Sequence, residues 1–190
     1  MYVPPHFAVD DRAWAQKLIA AYPFGMLLTC GNDYPRASHV PMLCVERNGE
    51  LWILGHLARA NSQADAIFEG SAATAVFQGP HAYVSPLWYE DPDRSVPTWN
   101  YLAVQCSGRL RECDGRDVVT QLAALFETGD ERWSLDRVDP DYAEKQLRGI
   151  VAFEMRVDEL AAKAKLGQNR SEADRARVEQ KTGLKLALGW

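Results

Sequence analysis

Short extended segments separated by turn signals recur along most of this chain, and helical periodicity is confined to a few stretches between them. The sharpest signal is Arg47-Asn48-Gly49-Glu50, because Asn-Gly tolerates the positive φ angles of a two-residue hairpin turn. It joins RASHVPMLCVE (36–46) to ELWILGH (50–56), both apolar and β-branched enough for strands. Five further segments read the same way: FGMLLTC (24–30), AATAVFQG (72–79), HAYVSPLWY (81–89), a long run from Asn100 to Glu112, and a last strand, GIVAFEMRV (149–157). Gly31-Asn32-Asp33 reads as a turn, and Pro41 implies a bulge or an edge within the second strand.

Helices fill the gaps. One opens at Asp10 or Asp11, carries Trp14, Leu18 and Ala21 as an apolar stripe, and stops at Pro23. Others are expected at about Asn61 to Phe68, at 115 to 128 with Val118, Leu122, Leu125 and Phe126 inward, at 140 to 148, and at Ser171 to Thr182. Seven strands with few crossover helices argue against a βαβ architecture. The expected class is mainly β with peripheral helices, built as an antiparallel barrel. No repeat or long linker divides the chain. Residues 1–190 are therefore expected to form one domain with a basic helical extension from about residue 163.

With 190 residues, such a chain buries roughly 70% of its unfolded surface. No apolar run is long enough to span a membrane, and MYVPPHFAVDD lacks the basic-then-apolar pattern of a secretory signal. A soluble, cytoplasmic protein is expected. Cys30, Cys44, Cys106 and Cys113 form no CxxC pair and read as free thiols, with Cys113 in the most polar surroundings. The net charge of −5 is uneven: residues 163–190 hold seven basic and three acidic side chains, so residues 1–162 sum to −9. A largely anionic surface disfavours DNA as a direct partner, although the basic end could still meet an anion.

Three segments gather more polar and aromatic side chains than a barrel needs. GHLARANSQ (55–63) spans the end of a strand and the start of a helix, where free N–H groups beside Arg59 suit a phosphate; plain capping by Asn61 with a solvated Arg59 is the competing reading. PTWNY (97–101) can stack on a planar ligand or simply pack. KAKLGQNR (163–170) offers donors and positive charge, or a solvated basic turn. His6, His39, His56 and His81 have no metal-ligand spacing; each is structural by default, and one could serve as an axial haem ligand. GxGxxG, Walker-type GxxxxGK[ST] and GxSxG motifs are absent, and the basic helix at 171–182 has no upstream partner for a helix-turn-helix.

Seven motifs occur in order: MYVPPHF (1–7), SHVPML (38–43), GHLARANSQ (55–63), FQGPHAYVSPLWY (77–89), VPTWNYLAV (96–104), IVAFEM (150–155) and KAKLGQNRS (163–171). In them the chain resembles the PaiB family of FMN-binding negative transcriptional regulators, nearly end to end. The resemblance implies an FMN-binding split β-barrel related to pyridoxamine-phosphate oxidases and flavin reductases, working as a homodimer with FMN at the subunit interface. It implies that Arg36, Ser38 and His39 face the isoalloxazine ring, and that His56, Arg59 and Asn61 approach the phosphate. Trp99, Asn100, Lys163, Lys165, Gln168 and Asn169 would close the site, from the same or the partner subunit. The oxidase relatives' paired Arg/Lys clamp on successive strands has no equivalent; Arg59 with Lys163 and Lys165 stands in its place. Three functions follow from the resemblance: a regulator acting indirectly through flavin binding, an FMN-dependent oxidoreductase with a nicotinamide donor, or a haem-binding or haem-degrading barrel. His39 and His56 are the candidate haem ligands.

Overall fold

A computed structural model describes residues 1–31 and 33–184; Asn32 of the expected first turn and residues 185–190 of the basic end, Lys185 included, lie outside the described residues. Seven strands form one sheet: β1 (Phe24–Thr29), β2 (Arg36–Arg47), β3 (Glu50–Ala58), β4 (Ala72–Val84), β5 (Thr98–Glu112), β6 (Ile150–Arg156) and β7 (Glu159–Lys165). Their order is β4-β1-β2-β3-β6-β5-β7, with a further β4–β5 pairing. Five helices accompany them: α1 (Arg12–Ala21), α2 (Ala64–Phe68), α3 (Gly115–Phe126), α4 (Pro140–Arg148) and α5 (Glu172–Thr182). None is long and apolar enough to cross a membrane among the described residues.

The chain divides into two compact units. The first comprises Met1–Tyr22, Gln78–Gln105 and the chain from Ala161; the second comprises Pro23–Phe77 and Cys106–Leu160.

In the second unit the Asn-Gly hairpin forms as expected. Asn48 and Gly49 both take positive φ (52° and 79°), and Arg47 pairs Glu50 across the turn. Pro41 marks a change of partner. β2 pairs with β1 from Arg36 to Pro41 and with β3 from Met42 to Arg47, so the residue lacking an N–H sits at the handover. Where Gly25 and Gly55 lack a side chain, Met42, Phe77 and Phe153 fill the space: an added Cβ would lie 2.9 Å from Phe77 at Gly25 and 2.7 Å from Phe153 at Gly55. α3 covers the other face of β3 and β6, burying Val118 and Leu122 against Leu54 and Ala152, with Leu43, Val45 and Trp52 around them. Each such aliphatic side chain contributes about 1.5–3 kcal/mol. Asp114 caps α3 by accepting from the Asp117 N–H at 2.7 Å.

In the first unit, Asp11 caps α1 by accepting from Ala13 N–H at 2.8 Å, and Trp14, Ala15, Leu18 and Ile19 are buried. β7 is bordered by the N-terminal segment, which bridges at Ala8 and Lys163. α5 packs Val178 against Val84 and Tyr89. Buried Asp174 ties this helix to the preceding loop by accepting from the Glu90 N–H at 2.8 Å.

Several expectations need correction. Residues 72–79 and 81–84 are one strand, because β4 runs straight through Gly79-Pro80, and 86–88 form a 3₁₀ turn. β6 is followed by β7, so part of the supposed basic turn is strand. Ala21 is exposed, its place in the stripe taken by Ala15 and Ile19, and Phe126 is exposed at the end of α3. All four cysteines are free, but Cys30 is the exposed one and Cys113 is half-buried. Burial pushes the thiols of Cys44 and Cys113 up to about 11 and that of Cys106 to about 12.

Candidate functional site

The expected site residues fall six in each unit. In the second unit, five side chains gather into one hydrogen-bonded group where the connection at 30–35 joins β1 to β2. Arg36 opens β2 opposite Thr29, is exposed, and donates from Nη1 to the Ser62 carbonyl. Ser38 Oγ accepts from Asn61 Nδ2 at 2.9 Å, and Asn61 Oδ1 in turn accepts from the Gln63 N–H at 2.9 Å. Gln63, only 2% exposed, donates from Nε2 toward Leu27 O (3.2 Å), Thr29 Oγ1 (2.9 Å) and Arg36 O (3.2 Å). Its Oε1 is buried with no partner among the described residues. On the opposite face of β2 from Arg36 and Ser38, His39 is exposed and stacks on the exposed ring of Phe24, centroids 6.3 Å apart.

The helix-terminus rationale for a phosphate at 61–64 does not hold. α2 begins at Ala64, three residues later than expected, and is five residues long. The turn before it satisfies its own donors: Asn61 N–H to Ala58 O at 2.8 Å, Gln63 N–H to Asn61 Oδ1, and Ala64 N–H to Asn61 O at 2.9 Å. Arg59 is occupied as well. Its Nε donates to Arg148 O and its Nη2 to Ile150 O, each at 3.0 Å, which fastens the end of β3 to the start of β6. His56 stands on β3 opposite Ala152, with Nδ1 buried and unpartnered; desolvation lowers its pKa below the ordinary histidine value.

The first unit holds the other six. Trp99 is 53% exposed and lies between His81 and Tyr83, with centroid distances of 6.2 and 6.0 Å. Beneath it Lys165 Nζ donates to Trp99 O at 2.9 Å and to Thr98 Oγ1. Burial holds the Lys165 ammonium below its ordinary pKa; Tyr101 opposes this and Lys163 adds to it. Lys163 is 7% exposed: it donates to Tyr2 O at 3.1 Å and lies over the rings of Tyr101 and Tyr2 at 5.2 and 5.9 Å, so it anchors the N-terminal segment. Gln168 closes the turn after β7, accepting from Leu166 N–H and donating to Ala164 O. Asn100 is buried and Asn169 exposed.

Sequence reasoning missed Gln63, although it ends the GHLARANSQ motif. A glutamine next to an asparagine and a serine reads as one more polar residue of a turn. Only the fold shows it buried beneath the β1–β2 pair.

A family model described as "Putative FMN-binding domain" matches residues 1–159. The chain belongs to that family. Its similarity to the protease synthase and sporulation protein PAI 2 of Bacillus subtilis, 32% identity over 92% of this chain and 85% of that one, places it in the PaiB group read from its motifs. Two solved structures share the fold. The flavocytochrome Anf3 from Azotobacter vinelandii superposes with a TM-score of 0.67 at 16% identity, covering 92% of this chain and 78% of that one. The FAD and heme binding protein from Mycobacterium smegmatis superposes with a TM-score of 0.65, also at 16% identity, covering 88% and 78%. The fold class is thus the mainly antiparallel, flavin-binding split barrel, and the family's cofactor is FMN.

The second unit's donor set suits that cofactor. A flavin mononucleotide presents a dianionic phosphate, a polyhydroxyl chain and a flat ring. Arg36 has one Nη engaged and the rest of its guanidinium to give; Ser38 accepts from Asn61, which leaves its own hydroxyl hydrogen available. The Phe24–His39 pair offers an exposed flat surface, but on the opposite face of β2.

Proposed function

We propose that this protein binds FMN through Arg36, Ser38 and Asn61 of the second unit and acts as a negative transcriptional regulator indirectly, as a cytoplasmic homodimer. The observation that carries the flavin assignment is the Arg36 group, an arginine held at the edge of a polar cluster by the turn it faces. When bound, FMN supplies electron or hydride transfer at its ring. The chain's own residues bind and orient it: Arg36 meets the phosphate, and Ser38, held by Asn61, meets the polyhydroxyl chain.

Arg59 serves the β3–β6 junction in this assignment, because two of its nitrogens already satisfy backbone carbonyls. Lys163 and Gln168 serve the first unit's fold for the same reason. Trp99 and Lys165 remain a ligand-facing pair there, an exposed ring beside an ammonium that has no carboxylate partner among the described residues. The regulatory part is supported by the family resemblance and by the name of the Bacillus relative. Homodimerisation is supported by the resemblance and by large exposed rings such as Phe24 and Trp99.

The test compares FMN with riboflavin, which lacks the phosphate, by titration of the desalted protein. Arg36→Gln is expected to weaken FMN by about 1.5–3 kcal/mol, the value of one hydrogen bond to a charged group, and to leave riboflavin nearly unchanged. Equal effects on both ligands, or none on FMN, would remove the phosphate from Arg36.

One observation favours haem as a second reading. His56 has a buried imidazole nitrogen without a partner, and desolvation keeps it neutral, as a ligand nitrogen must be. A Soret band in the purified protein that disappears in His56→Ala would establish it; a wild-type protein indifferent to added haem would dismiss it.

A further inference from the structure

We infer that Gln63 is a positioning residue for the phosphate group of the flavin, acting through Arg36. The inference rests on the flavin assignment and extends it to a residue that touches no ligand. Arg36 is the first residue of β2, opposite the last residue of β1, so its backbone forms the final ladder pair before the connection at 30–35. Ends of ladders fray unless tied down. Gln63 supplies the tie. Its single NH2 group reaches the carbonyl of Arg36, the carbonyl of Leu27 and the hydroxyl of Thr29, so one side chain grips both strands at their last pair.

The neighbouring Ser62 carbonyl takes the Arg36 side chain. Main chain and guanidinium of one arginine are therefore held by two consecutive residues of the same turn. Asn61 fixes that turn in its own place through the Gln63 N–H and Ser38. The orientation of the Gln63 amide is set by its surroundings, since reversing it would turn Oε1 toward the carbonyls of Leu27 and Arg36. The cost of that orientation is visible: Oε1 is buried with nothing to accept from among the described residues, in a residue 2% exposed.

A residue that only stabilised the fold would affect every ligand alike. A residue that aims Arg36 affects only ligands that carry the phosphate, and only while Arg36 is present. The decisive experiment measures FMN and riboflavin affinities for wild type, Gln63→Leu, Arg36→Gln and the double variant, with thermal unfolding alongside. Gln63→Met, equal in length and without a donor, replaces Gln63→Leu if the leucine variant does not fold. The expected result is a loss of about tenfold for FMN in Gln63→Leu, riboflavin within about twofold, and no further loss when Gln63→Leu is added to Arg36→Gln. Parallel losses for both ligands, additive effects in the double variant, or an unchanged FMN affinity would each overturn it. If Arg36→Gln fails to separate the two ligands, the phosphate assignment falls and this inference with it. If Arg36→Gln separates them and Gln63→Leu does not, only the role of Gln63 is lost.

Discussion

His56 carries an imidazole on β3 whose Nδ1 finds no hydrogen-bond partner, and whose pKa is held below the ordinary value by desolvation. The consequence for stability has a definite sign. In the unfolded chain the imidazole titrates near its ordinary value of about 6.5; in the folded chain it resists protonation until lower pH. As pH falls through that window the unfolded state binds the extra proton first, so folding stability declines. Above about pH 7.5 both states are neutral and the effect vanishes. Urea unfolding at pH 7.5 and 5.5 should show wild type losing more stability than His56→Gln over that interval. Parallel losses in the two proteins would show that His56 is solvated. At this same scale the sequence conveyed residue chemistry and concealed its use. Arg59 and Arg36 look alike in the chain, yet one ties two N–H groups to the carbonyls of Arg148 and Ile150 and the other gives one to the Ser62 carbonyl.

Among the elements, α3 is the one whose loss would expose most of a core cluster, since it alone brings Val118 and Leu122 to Leu54 and Ala152. Its N-terminus is held by Asp114, which accepts from the Asp117 N–H and lies at the favourable end of the helix dipole. Asp114→Ala is expected to cost about 1 kcal/mol, read as a lower urea midpoint with an unchanged slope. An unchanged midpoint would mean that packing alone holds the first turn. Elements governed by local rules were legible from sequence: the Asn48-Gly49 hairpin needs only its turn geometry, and α1, α3 and α4 each begin at an aspartate cap. Elements governed by distant contacts were not. Gly79-Pro80 signals a turn, but β4 continues through it; an added Cβ at Gly79 would lie 2.8 Å from Leu18 and 3.1 Å from Leu102, so that glycine serves close packing. β7 escaped notice because alanine and lysine are poor strand formers, and its lysines become strand residues only through Tyr2, Tyr101 and Thr98. The helix start expected at Asn61 was displaced to Ala64 for a related reason: the sequence marks a cap but does not count the turn that precedes the helix.

At the scale of the whole molecule, charge bears on whether the proposed regulation could act through DNA directly. Residues 1–162 sum to −9, so a duplex would be attracted only by the basic end. That end is largely committed within the first unit. Arg177 pairs with Glu90 at 3.2 Å and Asp174 at 3.6 Å, Arg170 lies 4.2 Å from the centre of the Tyr89 ring, and Lys163 and Lys165 hold backbone carbonyls. Arg175 and Lys181 on α5 are the cations of this stretch without such a partner among the described residues, with Lys185 beyond them. Each phosphate neutralised contributes about 0.9 to the slope of log affinity against log salt, so three cations give a slope of at most about 3 for one chain and about 5 if both chains of the proposed homodimer engage. Fluorescence anisotropy with a labelled duplex at 50 to 200 mM salt should therefore show weak, sequence-independent binding with a shallow salt dependence, and no change on adding FMN. Nanomolar binding to one sequence, with a slope of about 6 or more, would require a cationic surface these residues do not form and would make regulation direct. A shallow slope would fit the proposed indirect action, in which flavin occupancy rather than DNA contact carries the response.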